Sequence, residues 1–266
     1  MAKRKPTPSY IREEQDNLIT TSKDKRFKEP TARDIISIDD ILKTPITLST
    51  EQEQLIRLVD KSIVTVSEGG PGSGKSFTAI YIALLKLAKG EVERIILSKP
   101  LVQSASDEIG FLKGTLDEKV KPFLESYFDI FETFLTKQQI ESLIKSGFIK
   151  FEQISFLRGR TFKNAMIILD EGQSARIDGL FLISSRVGLG SKLLILGDRF
   201  QADIKPSEQK FTDFISILEK IPEASVFKFS DSHNYRNPFL IELTRLYNEY
   251  MEKQLEPKTK KLLLKS

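Results

Sequence analysis

The sequence predicts an α/β fold, with a mainly parallel, doubly wound sheet and helices on both of its faces. Two observations carry this. Short aliphatic runs recur at Ser62–Val66, Arg94–Ser98, Phe151–Phe156, Ala165–Leu169, Lys192–Leu196 and Ser225–Phe229. Most are continuously apolar rather than alternating, as in strands covered on both faces. Stretches of helical period separate them, and strands alternating with helices favour parallel crossovers.

The helical stretches carry their own start and stop signals. Lys75–Lys89 is apolar at Phe77, Ile80, Leu84 and Leu87 and stops at Gly90. Thr136 and Gln139 form a capping box that opens a helix ending at Gly147. Ser207 opens another, with Phe211, Phe214, Ile215, Leu218 and Ile221 on one face and Pro222 behind it. Asn237-Pro238 pairs an N-cap with a first-turn proline, ahead of Leu240, Leu243, Tyr247 and Tyr250. Phe123, Tyr127, Phe128, Phe131 and Phe134 run at helical spacing and are assigned to the core rather than to base stacking. Residues 1–44 are polar, with prolines at 6, 8 and 30, and read as a basic, partly disordered leader in which only Ile35–Leu42 hints at a helix. Residues 45–251 form the expected folded core, and 252–266 a loose, Lys-rich tail containing Pro257.

Composition narrows the chemistry. With 266 residues, 39% apolar and 29% charged, the chain has a globular profile, and no run approaches a membrane span. It has no cysteine and one histidine, His233, which excludes a disulfide framework, a structural zinc site and thiol catalysis. A Ser-His-Asp hydrolase would need His233 itself, whose expected role is structural. A cytoplasmic location follows as the expectation. The net charge of +4 is uneven: residues 1–30 and 251–266 each carry +3, leaving −2 between them. Basic ends suit a polyanionic partner, although solvated charged ends are the commoner reason for such a pattern.

The strongest chemical signal is Gly69-Gly70-Pro71-Gly72-Ser73-Gly74-Lys75-Ser76, which fits G-x-x-x-x-G-K-[ST] between a predicted strand and a predicted helix. In such a loop the backbone N–H groups surround a triphosphate, Lys75 reaches the β- and γ-phosphates, and Ser76 ligates Mg²⁺. The run Met166–Leu169 ends in Asp170-Glu171, carboxylates at the ligand-binding edge of a parallel strand. Asp170 is the candidate Mg²⁺ ligand, and Glu171 the candidate base for an attacking water. A third strand runs into Gly197-Asp198-Arg199-Phe200-Gln201, where Gln201 is placed to sense the γ-phosphate. Arg158, Arg160, Arg186, Arg199 and Arg236 are candidates for a transition-state arginine, with Arg236 favoured beside the Asn237-Pro238 cap. Gln52, in Leu48–Gln54, can read the N6/N7 edge of adenine or serve only in a helix start.

These motifs, in this order, resemble those of the first RecA-like domain of superfamily-1 helicases, with Gln52 in the place of their Q motif. Gly110–Val120, Phe156–Ala165 and Tyr235-Arg236-Asn237-Pro238 narrow the resemblance to the PhoH family of ATP-binding proteins, over roughly residues 45–250. The resemblance implies a RecA-like P-loop NTPase that hydrolyses ATP with Mg²⁺, coupled to RNA or single-stranded DNA. It implies Lys75, Glu171, Gln201 and Arg236 in catalysis, Ser76 and Asp170 on the metal, and Gly69 to Ser76 with Gln52 on the nucleotide. Lys99 stands where an arginine is usual, and Gly172 where alanine is usual; the second change is expected to be silent. Relatives can carry a PIN nuclease or an RNA-binding module, neither of which is expected in the 44 leader residues or the 15-residue tail. One RecA-like core lacks a second domain to supply a finger, so Arg236 is expected to act in trans within a homo-oligomer, a hexameric ring as the family suggests. The rival expectation is a nucleotide-sensing switch with little turnover that docks a protein partner.

Overall fold

The computed structural model describes residues 30–100, 125, 127–199, 210–230, 234–235 and 237–263. Six strands form one sheet in the order β3-β2-β4-β5-β1-β6, and all five pairings are parallel. The strands are β1 (Val64–Glu68), β2 (Arg94–Ser98), β3 (Ile149–Phe151), β4 (Ala165–Leu169), β5 (Lys192–Gly197) and β6 (Ala224–Lys228). The helices are α1 (Ile38–Leu42), α2 (Thr50–Lys61), α3 (Lys75–Lys89), α4 (Lys137–Lys145), α5 (Ile177–Ser184), α6 (Phe211–Leu218) and α7 (Phe239–Leu263). A further helical stretch at 127–132 precedes α4. The chain divides into Met1–Thr31 and a compact unit, Ala32–Ser266, which holds all of these elements.

The continuously apolar strands serve two cores. Ile95, Leu97, Met166, Ile168, Leu194 and Leu196 join one cluster with α2, α3 and α4. Ile96, Ile167, Leu169, Leu193 and Ile195 point the other way, into a cluster with Leu180 and Ile183 of α5 and Phe211, Phe214, Ile215 and Leu218 of α6. Period-two side chains that are apolar on both faces need helices on both sides, and the sheet has them. Capping boxes open α1 (Ser37, Asp40), α2 (Ser49, Gln52) and α4 (Thr136, Gln139). Each contributes about 1 kcal/mol to its helix start.

Several expected boundaries move. β1 begins at Val64, because Ser62 caps the end of α2 and shares a 2.7 Å hydroxyl contact with Ser225. The run Phe151–Phe156 is a strand only as far as Phe151. Its ladder closes where Glu152 N donates to Leu97 O, and a 3₁₀ turn at Ile154–Leu157 then sends Leu157 into the second core. The leader is structured from Ala32: Ala32, Ile36 and Ile41 are buried in the first core, so the packed unit starts well before residue 45. At the other end α7 continues through Met251 to Leu263, so the expected loose tail is helical over most of its length. Ile221 is 41% exposed and leaves the buried face of α6, which starts at Phe211. Ser207, Phe123 and Gly110–Val120 lie outside the described residues.

Topology places the site. β5 lies between β1 and β4, so the C-terminal ends of three strands sit side by side: Glu68 before the glycine loop, Leu169 before the two acids, and Gly197 before Asp198. Open parallel sheets bind ligands at this edge.

Candidate nucleotide-binding site

The glycine loop leaves β1 and turns at once into α3. Gly72 and Gly74 have φ of +80° and +86°, a region that costs an L-residue strain. Gly72 also has no room: a Cβ there would run into the side-chain amide of Asn234. Thr78 N donates to Gly74 O at 2.9 Å, the first bond of the α3 ladder, and Thr78 Oγ1 reaches the same oxygen at 2.8 Å. The N–H groups of Ser76 and Phe77 therefore have no acceptor within the helix and point toward the loop, where the dipole favours an anion. The Lys75 ammonium lies inside the loop, donating to the carbonyls of Gly69 and Gly70 and, at 3.3 Å, to Ser73 Oγ.

Across from the loop, Asp170 ends β4. Its Oδ2 accepts from Ser76 Oγ at 3.3 Å and from Tyr127 OH at 3.0 Å, and its Oδ1 accepts from Glu171 N at 3.0 Å. Burial pushes its carboxyl above the usual range and the neighbouring Glu171 pushes it further, against the opposing bond from Tyr127. Burial likewise holds the Tyr127 phenol well above its usual value, with Asp170 adding to the effect, so it is a neutral donor. A buried carboxylate beside a second acid, contacted by neutral hydroxyls, is a site that gains from a cation. Ser76 and Asp170 fit Mg²⁺, which takes one or two protein oxygens and completes its shell with water and phosphate. Among the described residues no cluster of three or more His, Cys, Asp or Glu could hold a metal by itself.

Glu171 takes a left-handed backbone, φ 55° and ψ 39°, one of two described non-glycine residues with positive φ. A residue held in that region needs its surroundings to fix it. Gln173 supplies part of that hold: its Nε2 donates to Glu171 Oε2 at 2.6 Å and its Oε1 accepts from Asp198 N at 3.0 Å. Gln173 is 2% exposed and bridges the ends of β4 and β5. At Gly172, where the resemblance has alanine, a Cβ would lie 2.6 Å from Ile195 Cγ2 and 3.2 Å from Leu196 O, so the glycine goes with a close approach of this turn to β5.

Gln52 is 3% exposed and completes the α2 capping box, its Oε1 accepting from Ser49 N at 2.9 Å. The other end of the same amide faces the loop, with Nε2 3.0 Å from where a Cβ on Gly74 would sit. Tyr235, 54% exposed, lays its ring edge against the same glycine. Its N donates to Gly72 O at 2.9 Å, while Asn234 Nδ2 donates to Pro71 O at 2.7 Å. The segment after β6 thus grips the loop from outside.

Among the arginines, Arg199 forms a two-pronged pair with Glu68, Nε to Oε1 at 3.0 Å and Nη2 to Oε2 at 2.5 Å. Arg160 pairs with Glu152 at 2.9 Å and lies over the Phe162 ring, and Arg186 reaches Arg160 O at 3.3 Å. These three are occupied structurally. Gln201, Arg236 and His233 lie outside the described residues.

The structure therefore brings together Gly69 to Ser76, Asp170, Glu171 and Gln52, and adds Tyr127, Gln173, Asn234 and Tyr235. The sequence profile of the PhoH family, described as PhoH-like protein, matches residues 46–248. The chain belongs to the PhoH family. A PhoH-like protein of Mycobacterium leprae is 28% identical over 94% of the chain and 70% of its own length. Those of Synechocystis and Bacillus subtilis are 33% and 29% identical over 74% of the chain, covering 60% and 62% of their own lengths. A large terminase from a thermophilic bacteriophage is similar over 75% of the chain and 50% of its own, with 12% identity and a TM-score of 0.46. The assignment rests on the sequence match. As a PhoH member with a parallel sheet and a glycine loop between β1 and α3, the protein has the RecA-like P-loop NTPase fold. Among the described residues no helix is long and apolar enough to cross a membrane.

Proposed function

We propose that this PhoH-family protein is a Mg²⁺-dependent ATPase whose turnover is coupled to RNA or single-stranded DNA. The observation that supports it most is the contact of Ser76 Oγ with Asp170 Oδ2, which joins the phosphate loop to the acidic strand at the edge where Glu171 also stands. Magnesium, when bound by Ser76 and Asp170, neutralises charge on the β- and γ-phosphates. Lys75 exchanges its carbonyl partners on Gly69 and Gly70 for phosphate oxygens. Glu171, held by Gln173 and able to accept through its carboxylate, takes the proton of the attacking water. Gln52 and Tyr235, both against Gly74, are the proposed contacts of the nucleoside. The Gln52 oxygen keeps a second lone pair beyond its Ser49 bond, so its amide can still pair with adenine.

Arg236 is the proposed finger and Gln201 the proposed γ-phosphate sensor. Tyr235 is bonded to this chain's own Gly72, and Asn237 N donates to Asn234 Oδ1 at 3.1 Å. Arg236 is proposed to act in trans, on the phosphate loop of a neighbouring subunit in a homo-oligomer. The variant Glu171→Gln tests the assignment: ATP binding is retained while phosphate release falls by about 10²- to 10⁴-fold. Unchanged release in Glu171→Gln would sink it.

A further inference from the structure

Tyr127 stands outside every motif of the site. Its ring is 2% exposed and belongs to the first core with Phe131 and Phe134, the latter stacked near Phe77 and Tyr81 of α3 at ring separations of 5.3 and 5.6 Å. A phenol packed that way has a fixed direction, and a buried one needs a partner for its O–H. Here the partner is Asp170 Oδ2, at 3.0 Å. The Ser76 hydroxyl shares that oxygen from 3.3 Å, beyond the usual O–H···O range, so Tyr127 is the closer of these two hydroxyl donors. With Glu171 N on Oδ1, both carboxylate oxygens are held by donors, and the closer donor on Oδ2 comes from a layer the motifs do not include.

We propose that Tyr127 is a positioning residue for Asp170, fixing the carboxylate in the orientation that receives Mg²⁺ and so setting the protein's affinity for the metal. This rests on the Mg²⁺–nucleotide reading above. Partners that orient a metal-binding carboxylate typically change metal affinity by about 10- to 100-fold when removed. The variant Tyr127→Phe deletes the hydroxyl and keeps the ring in the aromatic cluster.

The test is a magnesium titration of the full chain with a fluorescent ATP analogue, in wild type and Tyr127→Phe, with analogue binding in EDTA measured separately. The expected result is a rise of about tenfold in half-saturating Mg²⁺ for the variant, with its EDTA affinity and melting temperature matching wild type. Superimposable magnesium curves overturn the proposal. So does a variant weakened equally in EDTA, since Tyr127 then acts through packing and not through the carboxylate. A wild-type protein that binds the analogue with no response to Mg²⁺ overturns the functional reading itself, an outcome separable from the other two.

Discussion

Asn234 Nδ2 donates to Pro71 O at 2.7 Å, tying the segment after β6 to the middle of the phosphate loop. Gly72 sits directly beneath, at a φ of +80° that would drive any Cβ into the same asparagine. The loop is therefore tied in place by a side chain far away in sequence. Asn234→Ala removes this bond to the loop, worth about 1 kcal/mol, together with the bond that Oδ1 accepts from Asn237 N, and ATP affinity is expected to weaken at least about fivefold. A nucleotide titration checks this; unaltered affinity would mean the loop is shaped by its own glycines alone.

Variants at Ser76 and Asp170 test the proposed metal site separately from nucleotide binding. Asp170→Asn is expected to lower turnover at least about a hundredfold and to shift the Mg²⁺ requirement upward, with nucleotide binding in EDTA intact. Ser76→Ala should move in the same direction. Magnesium titrations of phosphate release read both, and an unmoved requirement in either variant would remove that residue from the site.

Arg199 is two residues before the proposed sensor in sequence, and its guanidinium pairs with Glu68, which is 3% exposed. Removing the arginine strands a buried carboxylate. Because Arg199 itself is partly in water, Arg199→Ala is expected to cost about 2 kcal/mol, less than the ~3–5 kcal/mol of a fully buried pair. Denaturant unfolding measures it. A variant of full stability with lost turnover would instead make Arg199 a finger.

Mixing two inactive variants decides where Arg236 acts. Lys75→Ala has no working loop and Arg236→Ala no finger. In the proposed trans arrangement, re-equilibrated mixed oligomers recover about a quarter of wild-type phosphate release, the share of sites that pair a working loop with a working arginine. A mixture that stays inactive would place the finger in its own subunit.

How much of this is readable from sequence depends on how local each feature is. The glycine loop, Lys75, Ser76, Asp170 and Glu171 are contiguous runs at strand ends, where chain direction alone fixes what they face. Gln52 is legible as part of a helix start, and its Oε1 completes the α2 capping box; adenine pairing is its proposed second role. Tyr127 was legible only as core, since its ring is core and the chemistry resides in one terminal oxygen. Asn234 and Gln173 make their contacts across the sheet edge, and no periodicity encodes which backbone group lies opposite. Arg199 is one of several arginines until β1 and β5 are seen to be neighbours. The short β3 was misplaced because an apolar run serves a 3₁₀ turn packed on a second core as well as it serves a strand.

The central claim is that this loop and this acid pair turn over ATP and that nucleic acid accelerates them. Phosphate release from ATP by the purified protein, with and without single-stranded RNA or DNA and with Lys75→Ala as the blank, tests it most directly. The account predicts Mg²⁺-dependent release that rises with nucleic acid and vanishes in Lys75→Ala. Tight ATP binding with no release above that blank, and no response to nucleic acid, would contradict it and leave a nucleotide-sensing switch.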